Sequence, residues 1–237
     1  SFVARSMKAF KTLRKALEVV TSDVADSAEK HYMRQCVAKG FNPIVMVYPG
    51  LGTSIEPYTD CNLEVSASTL DLKMKREDSD VARNIAVISV NGYRDTVLDC
   101  TKANANAVAG QSQRGILVKG DSLKESSFLL RGFTIRGGHS AKGGAISVQR
   151  QASVILESCL IEGNTATAEG GGLHVADSRL LMLNSHIRNN ICEGQCAGGG
   201  IYARGYNYCR KDQKKCSLTG QSCQTTPCPR IDGAVYT

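Results

Sequence analysis

Ile135-Arg136-Gly137-Gly138, Ile161-Glu162-Gly163-Asn164 and Ile187-Arg188-Asn189-Asn190 recur at one interval, 135 to 161 to 187, and each stands behind an apolar run. Those runs are Phe128-Leu129-Leu130, Val154-Ile155-Leu156 and Leu180-Leu181-Met182. A second series, Gly143-Gly144-Ala145-Ile146, Gly170-Gly171-Gly172-Leu173 and Gly198-Gly199-Gly200-Ile201, keeps nearly the same step. An internal period of this length, made of short apolar segments punctuated by glycine, points to a solenoid rather than a closed globular core.

The register inside each unit is that of strands. In Phe133-Thr134-Ile135-Arg136, Cys159-Leu160-Ile161-Glu162 and Ser185-His186-Ile187-Arg188, a small or apolar first and third position precedes a charged fourth. With three strands per turn, corresponding residues of successive units stack at about 4.8 Å in parallel ladders. Ile135, Ile161 and Ile187 then form an aliphatic stack inside, and Arg136, Glu162 and Arg188 alternate in sign outside, which avoids stacking like charges. The glycine runs mark a corner whose φ angles a residue with a Cβ resists.

These motifs resemble the pectin lyase-like superfamily of right-handed β-helices, and more closely its polymorphic outer-membrane-protein type repeat, in which Gly-Gly-Ala-Ile alternates with Phe-x-x-Asn. Gly143-Gly144-Ala145-Ile146 matches the first motif, and Ile161-Glu162-Gly163-Asn164 and Ile187-Arg188-Asn189-Asn190 match the second with Ile for Phe. Gly138 stands where that motif has Asn. The resemblance is clear over residues 110–205, extends back to about residue 40 and is absent from the tail. It implies an all-β, right-handed parallel β-helix opened by a helix that covers the first coil. The superfamily holds both polysaccharide enzymes and surface adhesins, so the resemblance implies a fold before an activity.

The chain divides accordingly into an N-terminal helical cap (1–40), the β-helix (41–205) and a Cys-rich tail (206–237). Phe10, Leu13, Leu17 and Val20, with basic residues between them, make an amphipathic helix, and a second helical stretch is expected over Ala25–Val37. Ile44–Val47 before Pro49-Gly50 is the first strand, and Leu63, Val65, Leu70–Met74, Ile85–Val90 and Val97-Leu98 continue the rhythm. Lys75–Asp80 and Thr101–Gln113 are polar loops. A chain that starts at Ser1 and stops at Thr237 is expected to be a processed product or a piece of something longer.

Of the 237 residues 42% are hydrophobic, enough for a core, while Trp is absent and aromatic residues are few. No apolar run is long enough to span a membrane. The net charge of +7 is spread along the chain, apart from clusters at Lys8–Lys15 and Arg210–Lys215. The simple reading is a solvated face rather than a nucleic-acid site, with attraction to an acidic polysaccharide or protein as the rival. Ten cysteines favour an oxidising lumen, a cell surface or secretion. The disulfide candidates are Cys192, Cys196, Cys209, Cys216, Cys223 and Cys228, whose spacings lack the Cys-x2-Cys knuckles of zinc modules. Cys36, Cys61, Cys100 and Cys159 lie outside that cluster as candidate free thiols.

Enzymes on this scaffold carry clustered acids on one outer face. Asp121 and Asp177 fall in different parts of their units, and Glu162 belongs to its ladder, so the regular region offers no carboxylate pair. Asp60, Asp71, Asp95 and Asp99 lie in early coils whose alignment the repeat does not give. Alternation places Leu129, Ile155 and Leu181 outward in one line, an apolar ridge that either a segment of this chain or a protein partner must cover. His174 and Tyr202 should stack on an outer face, as solvated side chains or as a sugar-stacking surface, and His186 should stack with Leu160 and Thr134 at the surface. The expected function is a noncatalytic structural or binding domain of a larger assembly, with no cofactor and no metal. Its expected partners are other protein subunits or acidic polysaccharide. The alternatives are a carbohydrate-active lyase or hydrolase acting on acidic polysaccharide, and a noncatalytic polysaccharide-binding module.

Overall fold

The computed structural model describes residues 12–21, 44–48, 57–66, 83–101, 103, 113–120, 126–205, 207–208 and 215–216. The helix expected over Ala25–Val37, the strand run Leu70–Met74, the loop Lys75–Asp80 and most of Thr101–Gln113 lie outside the described residues. So do Cys36, Cys209, Cys223 and Cys228.

The described chain is predominantly β. A helix, α1 (Leu13–Thr21), precedes strands that lie in successive tiers. The first tier holds β1 (Ile44–Val47) and β2 (Leu63–Ser66), and the second holds β3 (Arg83–Ser89), β4 (Val97–Asp99) and β5 (Ile116–Lys119). The third holds β6 (Ser126–Arg131), β7 (Thr134–Arg136), β8 (His139–Lys142) and β9 (Ile146–Gln149). In the fourth come β10 (Ser153–Glu157), β11 (Leu160–Glu162), β12 (Thr165–Glu169) and β13 (Leu173–Ala176). The last holds β14 (Arg179–Leu183), β15 (His186–Arg188), β16 (Ile191–Cys192) and β17 (Ile201–Arg204). A small antiparallel pair follows, β18 (Asn207–Tyr208) with β19 (Lys215–Cys216).

Strands of equal rank pair in parallel from tier to tier, giving four sheets among the described residues: β1-β3-β6-β10-β14, β4-β7-β11-β15, β8-β12-β16 and β2-β5-β9-β13-β17. The repeat register is realised in them. Ile161 lies between Ile135 and Ile187, Glu162 between Arg136 and Arg188, and Ile155 between Leu129 and Leu181. The third sheet corrects the expectation of three strands per unit. Its strands His139–Lys142 and Thr165–Glu169 carry no apolar side chain larger than Ala, so the sequence gives them little signal and backbone pairing defines them.

Inward side chains of the four sheets form one core. Leu98, Leu130, Ile135, Ile146, Val154, Leu156, Ile161 and Leu173 are fully buried, and each such side chain contributes about 1.5–3 kcal/mol relative to exposure. Gly143, Gly170 and Gly198 occupy one corner with φ of +67, +64 and +76°, the left-handed region where a Cβ is strained. At the first tier the core is closed by α1, whose Leu13, Ala16 and Leu17 are buried with Val45, Val47 and Leu63. Asp60 Oδ2 accepts the Leu13 N–H at 2.8 Å, satisfying one of the donors that a helix start leaves unpaired.

Two disulfides are formed among the described residues. Cys192–Cys196 falls within the expected cluster. Cys61–Cys100 corrects the reading of those two as candidate free thiols. They are 39 residues apart in sequence, but the bridge between Tyr58 and Leu98 brings the first and second tiers side by side just before both cysteines. Cys159 is free and buried, and its Sγ–H donates to the carbonyls of Leu130 and Glu157.

Candidate functional site

The outer face of the first sheet carries an unbroken apolar ladder. Ile44, Ala86, Leu129, Ile155 and Leu181 lie side by side across all five tiers. The next outward column runs Met46, Ile88, Arg131, Glu157, Leu183. Leu129 and Ile155 are half-buried between neighbours in the sheet. The ends are open, with Ile44 58%, Met46 50%, Leu181 50% and Leu183 43% exposed. The helix α1 packs with the inward Val45 and Val47, so it leaves Ile44 and Met46 uncovered. Polar anchoring within the patch comes from Arg131, whose Nε and Nη2 both donate to Glu157 Oε2, at 2.8 and 2.6 Å.

On the second sheet the outward column is Asp99, Arg136, Glu162, Arg188. It resolves into two ion pairs, Arg136 Nε to Asp99 Oδ2 at 2.7 Å and Arg188 Nε to Glu162 Oε2 at 2.8 Å. Partial burial pushes the Asp99 carboxyl up, but hydrogen bonds from Thr101 and the Arg136 guanidinium outweigh it and hold the group below its ordinary value. Arg136 and Glu162 line a shallow depression with Thr101, Gly137, Gly163 and Asn189. Both carboxylates of the column, Asp99 and Glu162, are held by guanidinium groups, an arrangement that suits surface organisation better than proton transfer, and each exposed pair adds about 0.2–1 kcal/mol.

The fourth sheet holds the largest departure from the sequence reading. His174 lies between Ser147 and Tyr202, as the register requires, and its ring stacks on Tyr202 at 5.8 Å between centroids and 7° between planes. It does not face solvent, being 3% exposed. Period-two alternation fixes the face on which a side chain sits, not whether another segment lies over that face, and here the Lys142 and Glu169 side chains do. His174 Nε2 lies 3.0 Å from Glu169 Oε2, Lys142 Nζ lies 2.7 Å from the same oxygen, and Ser147 Oγ lies 3.1 Å from His174 Nδ1. Glu169 as a carboxylate can only accept, so the neutral ring donates from Nε2 and accepts the Ser147 hydroxyl at Nδ1. Gln149 Nε2 completes the chain by donating to Ser147 Oγ at 2.8 Å.

Burial depresses the His174 pKa. Glu169 opposes that shift, while the nearby Lys142 and Arg114 charges reinforce it. Glu169 is held low by its hydrogen bond from Lys142 and by the adjacent His174. The order serine, histidine, glutamate is that of a nucleophilic triad, but Ser147 is 0% exposed and no substrate carbonyl can reach its Oγ. The arrangement is a polar network that ties the third tier to the fourth, with Tyr202 of the last tier stacked on it. Of the proposed sugar-stacking pair, only Tyr202 retains partial exposure.

The remaining candidates resolve one by one. Asp60 accepts the Leu13 N–H, Asp95 is half-buried, and Asp71 and Asp121 lie outside the described residues. His186 is exposed beside Leu160. Among the described residues no group of three or more His, Cys, Asp or Glu is placed to hold a metal ion, and no helix is long and apolar enough to cross a membrane. The two disulfides fit an oxidising compartment.

Sequence reading did not anticipate the carboxamide ladder. Asn164 Oδ1 accepts the Gly138 N–H at 2.9 Å, and its Nδ2 donates to the carbonyls of Ile135 and Glu162 and to Asn190 Oδ1. Asn190 repeats this one tier later, accepting from the Asn164 N–H and donating to Ile161 O. The signal was present in the repeated Asn of the motif; its use as a tier-to-tier clamp required coordinates. Comparison with protein-family models, with curated proteins and with solved structures finds no significant match to this chain.

Proposed function

We propose that this chain is a right-handed parallel β-helix of the pectin lyase-like type, close to the polymorphic outer-membrane-protein repeat. In this reading it serves as a noncatalytic structural or binding domain in an extracellular, surface or lumenal assembly. Its protein-binding face is the ladder Leu129, Ile155, Leu181, extended by Ile44, Met46 and Leu183. The observation that carries the reading is that this ladder is continuous across five tiers and open at both ends, with Leu181 50% and Ile44 58% exposed. Contiguous apolar surface of this kind is a liability unless a partner covers it. The disulfides support the compartment, and the ion-paired carboxylates of the second sheet support a face built for order rather than hydrolysis.

A photo-reactive residue placed at position 181, compared with one at the exposed Thr167 on another face, tests the assignment in the native assembly. Crosslinking to one protein species from position 181 and not from 167, abolished by Ile155→Glu, is the expected result. Equal products from both positions would remove the ladder from consideration. Independently, release of reducing or unsaturated sugar ends from acidic polysaccharides by the purified chain would overturn the noncatalytic assignment in favour of a lyase or hydrolase.

A further inference from the structure

The apolar face of the first sheet is interrupted by one pair of charges, and their placement says what can cover it. In the third and fourth tiers the second outward column holds Arg131 and Glu157 side by side, with Ile88 before them and Leu183 after. Beside it runs the column Ala86, Leu129, Ile155, Leu181. Arg131 Nε and Nη2 both donate to Glu157 Oε2, and Glu157 Oε1 and Arg131 Nη1 take no hydrogen bond among the described residues. Both side chains are partly exposed. A uniformly apolar partner would strip water from this pair and supply no hydrogen bonds in return, which is unfavourable for a buried ion pair. The occupant must therefore present a carboxylate opposite Arg131, a cation opposite Glu157 and aliphatic side chains around them.

The face itself meets that description. A two-fold axis lying in its plane, along the strands and midway between the third and fourth tiers, keeps each column in place and reverses the order of tiers. Arg131 then faces Glu157 of the second copy, and Glu157 faces its Arg131. By the same operation Leu129 meets Ile155, Ala86 meets Leu181, Ile88 meets Leu183, and in the adjoining column Ser127 meets Ser153. Other two-folds do worse. Centring the axis on the third tier sets Arg131 against Arg131 and Glu157 against Ile88, and an axis along the stack leaves Arg131 opposite side chains of its own tier, never opposite Glu157. Sheets packed face to face lie about 10 Å apart, a gap that an arginine and a glutamate side chain bridge between them.

We infer that the occupant of the apolar face is a second copy of this chain, with the two stacks antiparallel and the Arg131–Glu157 pairs of both copies joined at the centre of the contact. The inference rests on the partner face proposed above and names what covers it. Such an interface is isologous, the same patch serving both copies, which is the commonest way for identical chains to close. Four tiers at about 4.8 Å and three outward positions at about 7 Å give roughly 400 Å² per copy, at the low end of specific interfaces, so the dimer is reversible. Ile44 and Met46, in the first tier, lie outside the contact.

Sedimentation equilibrium of the full chain, from about 10 µM to about 0.5 mM, tests it, the range being set by the small contact. The wild-type mass should rise with concentration toward that of two chains. Arg131→Glu makes the centre of the contact wholly acidic and Glu157→Arg makes it wholly basic, so each variant alone should self-associate at least about tenfold more weakly. An equimolar mixture of the two should recover wild-type association, which also shows that both variants are folded. Ile155→Glu should abolish the dimer, and Ile44→Glu, outside the contact, should change its dissociation constant by less than about threefold. A wild-type chain that stays monomeric throughout would overturn the inference, as would a mixture that associates no better than its components or an Ile44→Glu effect equal to that of Ile155→Glu. A photo-reactive residue at position 181 separates this failure from that of the face itself. Crosslinking to a different protein would remove the second copy and keep the face, whereas crosslinking only within one chain would remove both.

Discussion

Asn164→Ala is the substitution on which the tier-to-tier carboxamide clamp is most exposed to test. Asn164 is 0% exposed, and its Oδ1 is the partner of the buried Gly138 N–H at 2.9 Å. Truncation orphans that N–H, which costs about 1–3 kcal/mol, and removes the donors serving the carbonyls of Ile135 and Glu162 at about 1 kcal/mol each. The sum is about 3–5 kcal/mol, a large part of the stability of a domain this size. Asn190→Ala removes the same group one tier later, where the side chain is half-buried and water can replace what is lost, so about 1–2 kcal/mol is expected. Equilibrium urea unfolding measures both, with an unchanged m value required for a stability comparison. A loss below about 1 kcal/mol for Asn164→Ala, or a loss for Asn190→Ala that equals or exceeds it, would refute the clamp.

Three further outcomes follow from the same structure. The folded His174 resists protonation relative to its ordinary value of 6.5, so acid favours the unfolded chain: this contribution is complete above that value and is lost as pH falls through it, and His174→Gln should flatten the decline between pH 7 and pH 5. Preventing the Cys61–Cys100 disulfide with paired serines should cost about 4 kcal/mol, against about 2 kcal/mol for Cys192–Cys196, because the loops closed span 39 and 4 residues; urea midpoints of the two double-serine variants report the order. Leu183→Lys should leave the stability of the isolated chain within about 0.5 kcal/mol of wild type while abolishing crosslinking from position 181, whereas Leu130→Ala, fully buried, should cost about 2–5 kcal/mol.

The later tiers were legible because nothing is inserted between them. Ile135, Ile161 and Ile187 fall at one interval, and the strands that contain them pair without a shift. Earlier tiers follow the same order of strands but with unequal connections: Ile44 lies beside Ala86 and Leu63 beside Ile116, spacings that no constant period predicts. That is why Asp99 could not be assigned to the ladder of Arg136, nor Cys61 to Cys100. Polar strands were invisible for a different reason. Ser140 and Ala166 are buried in the third sheet, but His139–Lys142 and Thr165–Glu169 carry no apolar side chain larger than Ala. His174 shows where pattern reading stops: the register placed it beside Ser147 and Tyr202, and only the position of Glu169 and Lys142 shows that this outer face is covered.

The functional face, the clamp and the dimer contact all presuppose that equivalent residues of successive units sit directly on one another. Methyl-labelled Ile135, Ile161 and Ile187 test that most directly. Strong nuclear Overhauser contacts are expected from Ile161 to both of the others, at roughly the 4.8 Å spacing of adjacent strands, and a far weaker one between Ile135 and Ile187 at about twice that distance. Absence of either contact to Ile161, or a direct contact of equal strength between Ile135 and Ile187, would contradict the register and everything built on it.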